Sequence, residues 1–140
     1  MNTYKEKLIY SIKMKRQKLE ERLQSAVARY IKVQYPNVVF TSESSGIRVS
    51  MGVAVQMKKQ RSNHKLPDLI ILQPNEKYHG LMIELKKSHS EIYKKDGTLR
   101  ANKHVQAQND TLNILNSIGY HAVFACGFDE TKKIIDEYLK

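Results

Sequence analysis

Cysteine is nearly missing from this chain: Cys126 stands alone. An intrachain disulfide framework is therefore excluded, and a reducing, cytosolic setting is expected. Cys126 closes an apolar run over residues 120–126, where a small buried side chain is the natural reading. The five histidines, His64, His79, His89, His104 and His121, lack the spacing of a zinc site. Each is expected on the surface, in a loop or against phosphate, and zinc is not expected. No apolar run is long enough to span a bilayer, and neither a signal-peptide nor a lipidation pattern is present, so a soluble, cytoplasmic protein without membrane partners is expected. Internal repeats and low-complexity tracts are missing as well.

What the chain has in excess is positive charge. Lys and Arg number 24 against 14 Asp and Glu, a net charge of +10. Basic side chains gain free energy by displacing counterions from a phosphate backbone, so nucleic acid is the first partner to consider. A length of 140 residues suits one compact domain, 1–140, with one principal site.

Residues 1–35 carry nine basic and three acidic side chains and read as a basic helix. Leu19, Leu23, Ala26, Val27, Tyr30 and Ile31 recur at helical spacing; Leu8, Ile9 and Ile12 extend the stripe backwards, and Tyr35-Pro36-Asn37 predicts its stop. A short strand at 38–40, a serine-rich turn at 41–46 and an alternating strand at 47–51 suggest a hairpin. A short helix over 53–60 leads to a basic loop. Two apolar strands follow at 68–72 and 80–86, separated by a turn at Pro74-Asn75. A polar, basic excursion over 88–103 precedes a helix at 102–117 that Gly119 ends, a strand at 120–125 and an amphipathic helix at 129–139. The order predicts an α/β fold with a mixed central sheet flanked by helices.

One strand breaks its own pattern. Side chains alternate faces along a strand, so Glu84 and Lys86 share one side while Ile83 and Leu85 share the other. Asp68 follows Pro67 at the mouth of the preceding strand; if the two strands are neighbours, a second carboxylate meets Glu84. Two close carboxylates repel unless a cation intervenes, and a hard divalent ion such as Mg²⁺ suits their oxygens. Such an ion activates water and stabilises charge on a phosphoryl oxygen, with Lys86 beside it to orient the water or offset charge. That chemistry hydrolyses phosphodiesters. Taken alone, Glu84 and Lys86 also fit a solvated pair on an exposed strand face.

The whole set narrows the reading. Pro67-Asp68, fifteen intervening residues and then Glu84-Leu85-Lys86 resemble the signature of the PD-(D/E)xK nuclease superfamily. Residues 66–71, 78–86, Gln108 and Gly119-Tyr120 resemble the VRR-NUC family, in particular its small stand-alone bacterial and phage members, over about residues 20–139. The resemblance implies a restriction-endonuclease-like core and an Mg²⁺-dependent DNA endonuclease in which Mn²⁺ substitutes. It places Asp68, Glu84 and the Leu85 carbonyl around the metal, with Lys86 as the active-site lysine and Gln108 beside it or its water. Cleavage of branched DNA such as Holliday junctions falls within the family's range, and a homodimer would cut two strands symmetrically.

Periodicity bears on two of these residues. Gln108 falls on the apolar stripe of Val105, Leu112 and Leu115, where a polar group needs a partner; a core glutamine bonded to backbone is the alternative. Glu20 lies at the margin of the first helix's apolar stripe, whereas Glu21 points away. The resemblance supports Glu20 as an acid four residues before Gln24, reaching the metal directly or through water; pairing within the helix is the alternative. Glu43 is a looser candidate. Lys58, Lys59, Arg61, Lys65, Lys87, Lys94, Lys95, Arg100 and Lys103 make the expected phosphate-gripping surface. The competing function is a non-catalytic nucleic-acid-binding module on the same fold, disfavoured because both acids and the lysine are present. RNA cleavage ranks lower still, since no stacking motif stands out.

Overall fold

A computed structural model describes residues 3–43 and 49–140 of the chain. The first helix, α1 (Tyr4–Gln34), starts in a capping box: the Thr3 hydroxyl accepts from the Glu6 amide at 3.3 Å, and the Glu6 carboxylate accepts from the Thr3 amide at 2.6 Å. It stops at Tyr35, before Pro36, where the sequence predicts its end. At 31 residues it runs about 46 Å, yet only Val27 and Ile31 are buried. Leu8, Ile9, Ile12 and Leu19 on its earlier turns are exposed.

Four strands form one sheet in the order β1-β2-β3-β4: β1 (Phe40–Ser42), β2 (Leu69–Ile71), β3 (Leu81–Lys86) and β4 (His121–Cys126). The β1–β2 and β2–β3 pairs are antiparallel and the β3–β4 pair is parallel, so the sheet is mixed. Asn75 makes the β2–β3 turn, its side-chain oxygen accepting from the amides of Lys77 and Tyr78 at 2.9 and 2.8 Å. The parallel connection from β3 to β4 needs a crossover, which α3 (Lys103–Ser117) provides. Asn102 caps it through the amides of His104 and Val105, and Gly119, at φ +102°, turns the chain into β4. The last helix, α4 (Gly127–Leu139), follows β4 directly.

Strand alternation sorts the core into two layers. On one face Leu69, Ile71, Leu81, Ile83 and Ala125 pack with Val27 and Ile31 of α1 and Ile135 and Tyr138 of α4. On the other, Ile70, Met82 and Ala122 meet Leu112 and Leu115 of α3. Each fully buried aliphatic side chain contributes about 1.5–3 kcal/mol relative to exposure, so these layers fix the strand register and everything that hangs from it.

Between β1 and β2 the chain departs from the expected hairpin. Ile47 and Arg48 lie outside the described residues, but Val49 and Ser50 are not strand, and Met51 opens α2 (Met51–Lys59). The reason is local: the Ser50 hydroxyl accepts from the Val53 amide at 3.3 Å, so an N-cap overrides the alternation of the preceding residues. β1 pairs with β2 instead, and α2 buries no side chain. The excursion after β3 contains a 3₁₀ turn (His89–Glu91), a bridge between Tyr93 and Leu99, and a turn at Asp96-Gly97. No described helix is long and apolar enough to cross a membrane.

Candidate active site

The β2–β3 register sets Leu69 opposite Ile83, and one step further it sets Asp68 opposite Glu84 at the open end of the pair. Asp68 continues the ladder with its side chain: Oδ2 accepts from the Leu85 amide at 2.9 Å. Glu84 points to the α3 side of the sheet, where only 6% of its surface is exposed. Its Oε1 accepts from Gln108 Nε2 at 2.7 Å, which answers the question left open by the sequence: the stripe glutamine bonds an acid, not backbone.

The two carboxyl groups interact directly. Burial, the charge of Asp68 and a hydrogen bond with its carboxyl raise the Glu84 pKa from 4.5 to about 9, against the opposing pull of Lys86 and Lys65. A pair of acids so placed keeps a proton at neutral pH unless a cation takes its place. The surroundings fit a hydrated divalent ion. Among the described residues, the buried side-chain polar atoms without a hydrogen-bond partner are Ser42 Oγ and Gln108 Oε1, and both residues line the same cleft of about 640 Å³ as Asp68 and Glu84. The donor set is oxygen throughout, as Mg²⁺ or Mn²⁺ requires.

No family model matches the sequence, and no curated protein matches it. A solved structure described as a VRR_NUC domain protein aligns with 86% of this chain and 87% of its own, at a TM-score of 0.62 and 26% identity. This chain has the VRR-NUC fold. It is a nuclease-type domain on a restriction-endonuclease-like core, in keeping with the resemblance carried by residues 66–86.

Within that VRR-NUC core, α1 reaches the acids through Gln24, whose Nε2 donates to the carbonyls of Glu43 at 2.9 Å and Asp68 at 3.3 Å. The Glu43 amide also donates to the Asp68 carbonyl at 2.7 Å, so the ends of β1 and β2 are tied together. Lys86, half-buried, lines the cleft on the same strand face as Glu84, and Leu85 lines it between them. Glu20 lies at the rim with its side chain 64% exposed and pairs with Lys87, beyond the end of β3, at 3.7 Å. The Glu43 carboxylate pairs with Arg61 at 3.4 Å.

Of the basic residues, Lys65 and Lys87 line the cleft. Lys58 and Lys59 sit exposed at the end of α2, Lys94 and Lys95 at the excursion's turn, and Lys103 at the start of α3; none of these five lines it. Arg100 also lies outside the lining, its Nε donating to the Ser90 carbonyl.

Lining residues that the sequence reading does not assign to the site include Ser42, Glu91 and His104, and Glu21, which the periodicity turns away from the apolar stripe, lines the cleft as well. His104 precedes Gln108 by one helical turn, so the periodicity that singles out Gln108 also points to it. Burial and the charges of Lys65 and Lys86 lower its pKa and favour the neutral imidazole. Glu91 accepts from the amide of Lys87, four residues before it, at 3.3 Å.

Proposed function

We propose that this chain is a metal-dependent DNA endonuclease that hydrolyses phosphodiester bonds at the Asp68–Glu84 cleft, with branched DNA, including Holliday junctions, as its substrate class. The observation that carries the proposal is the buried Glu84 carboxyl set against that of half-buried Asp68, with an ammonium group on the same strand face as Glu84. Asp68 and Glu84 would hold Mg²⁺ or Mn²⁺, joined by the Leu85 carbonyl and by Glu20 directly or through water. When bound, the ion supplies Lewis-acid stabilisation and an acidified water.

The protein's own groups do the remaining work. The Leu85 amide fixes one Asp68 oxygen, and Gln108 fixes one Glu84 oxygen, so both carboxyls are oriented before any ligand arrives. Lys86 is the donor that orients the attacking water or offsets charge as it develops on the phosphate. Lys65 and Lys87 hold the backbone close to the cleft. Lys58, Lys59, Arg61, Lys94, Lys95, Arg100 and Lys103 extend the grip outwards and read no bases. The exposed apolar side chains on the early turns of α1 support a homodimer through that helix, which would present two clefts to two strands.

The test compares linear, nicked, flapped and four-way-junction DNA, incubated with Mg²⁺, Mn²⁺ or EDTA. The expected outcome is metal-dependent cutting, fastest on branched DNA, that the Lys86→Ala variant loses while still binding. Binding without cutting of any substrate by the wild-type chain would instead identify a non-catalytic nucleic-acid-binding module.

A further inference from the structure

We propose that His89, Cys126 and Glu130 form a second metal site, for a borderline divalent ion of the zinc class, outside the Asp68–Glu84 cleft. The sequence gives no hint of it, because His89 and Cys126 stand 37 positions apart. The sheet topology removes that distance. In the parallel β3–β4 pair Lys86 aligns with Cys126, so both strands end at the same edge. His89 follows three residues after the end of β3, and Glu130 follows four residues after Cys126, in the first turn of α4. The carboxyl ends of neighbouring parallel strands are where α/β sheets place ligands.

The geometry fits such an ion. The imidazole nitrogen, thiol sulfur and carboxylate oxygen all lie within 4.8 Å of one another, and His89 Nε2 is 2.8 Å from Glu130 Oε2. In a tetrahedral zinc site, bonds of about 2.0–2.3 Å put neighbouring ligand atoms roughly 3.3–3.7 Å apart, a spacing that lies between the His89–Glu130 contact and the upper bound on the set. Cys126 is half-buried at the end of a strand, while His89 is exposed and Glu130 half-buried, and both are free to adjust by side-chain rotation.

The donor set decides the class of ion. One sulfur, one nitrogen and one oxygen suit Zn²⁺ or Co²⁺; Mg²⁺, which demands hard oxygen ligands, is a poor match. Binding replaces the Cys126 thiol proton with a sulfur–metal bond, the proton leaving to solvent, and no oxidant is needed. The His89–Glu130 hydrogen bond gives way to two coordinate bonds, the neutral imidazole binding through Nε2 as the tautomer that carries its ring proton on Nδ1. Three protein ligands leave a fourth position open to water or an exchangeable ligand. The ion clamps the His89–Glu91 turn to α4, and through Glu91 it steadies the Lys87 amide at the wall of the cleft.

The site is tested by stripping the full-length chain with a chelator and titrating it with Co²⁺ as a spectroscopic probe. One equivalent is expected to give a thiolate charge-transfer band in the near ultraviolet, displaced by Zn²⁺ and not by excess Mg²⁺. Cys126→Ser should abolish the band. His89→Ala, at an exposed position that the fold tolerates, and Glu130→Gln should each weaken binding at least about tenfold. An Asp68→Asn/Glu84→Gln double variant should keep both band and affinity, whatever becomes of the nuclease reading. No band in the wild-type chain, unchanged affinity in His89→Ala, or loss of the band in the double variant would each overturn the proposal.

Discussion

Two carboxylic acids in this chain, Glu84 and Asp136, are pushed in opposite directions by their surroundings. Glu84 is enclosed against another acid, and its pKa rises to about 9. Asp136 accepts hydrogen bonds from the hydroxyls of Tyr30 and Tyr35, each at 2.6 Å, and its pKa falls to about 2, with Lys132 helping. The same interactions raise the pKa of both tyrosines. One acid is a joint: it ties the end of α1 to α4 and is best satisfied when charged. The other is a demand: its charge is unwelcome until a cation arrives. An arrangement that costs the fold stability needs another reason to persist, and cation binding supplies one.

The sharpest way to break this contrast is to neutralise Glu84. Glu84→Gln keeps the shape, lets the new amide donate to Asp68 and leaves its oxygen to accept from Gln108. Metal-dependent cleavage is expected to fall on the order of 10²–10³-fold, as for loss of a group that stabilises transition-state charge. The thermal midpoint in EDTA should stay level or rise. A variant that cleaves normally, or one that is destabilised, would make Glu84 a structural acid like Asp136 and dissolve the distinction.

That contrast was half legible in the sequence. Alternation along residues 81–86 puts Glu84 and Lys86 on one face, and the apolar strands on either side of Pro74-Asn75 imply the pairing that brings Asp68 opposite Glu84; both follow from local periodicity. The stop of α1 before Pro36 and the Asn102 cap of α3 are likewise local. The Tyr30–Asp136 and Tyr35–Asp136 bonds span 106 and 101 residues, and the His89–Cys126 approach depends on a parallel crossover; neither leaves any mark on nearby residues. The false strand through Val49 and Ser50 failed for a related reason. Alternation over so few positions carries less weight than one capping hydroxyl with an amide to receive.

A smaller effect is expected on the joint. Asp136→Ala removes the acceptor of two hydroxyls, and because hydrogen bonds to a charged group are worth somewhat more than neutral ones, a loss of about 1–2 kcal/mol is expected in chemical denaturation. The figure stays low because the side chain keeps contact with solvent, at 15% exposure. The pH dependence follows from the sign of the shift. Asp136 is more acidic in the folded chain than in the unfolded one, so the unfolded state takes up its proton first as pH falls. Its contribution is complete above about pH 4 and is withdrawn as pH drops through about 2. The stability difference between wild type and Asp136→Ala should therefore narrow across that window. A constant difference would mean that the charge of Asp136 is irrelevant to the joint.

The smallest expected effect separates the causes of that charge preference. Lys132 lies four residues before Asp136 on α4, with its ammonium 3.3 Å from Oδ2 and 5.4 Å from the centre of the Tyr30 ring. Its side chain is 45% exposed, and ion pairs of this kind are screened by water and salt. The two tyrosine hydroxyls head the causes of the Asp136 shift, ahead of the lysine. Lys132→Ala should thus leave the denaturation midpoint close to wild type and preserve the acid limb of the stability profile, whereas Tyr35→Phe should move both. If Lys132→Ala destabilised the chain as much as Asp136→Ala, the acid would be held by an ion pair and not by hydroxyl donors. Raising the salt concentration would then weaken the joint, an outcome that two neutral tyrosines do not allow.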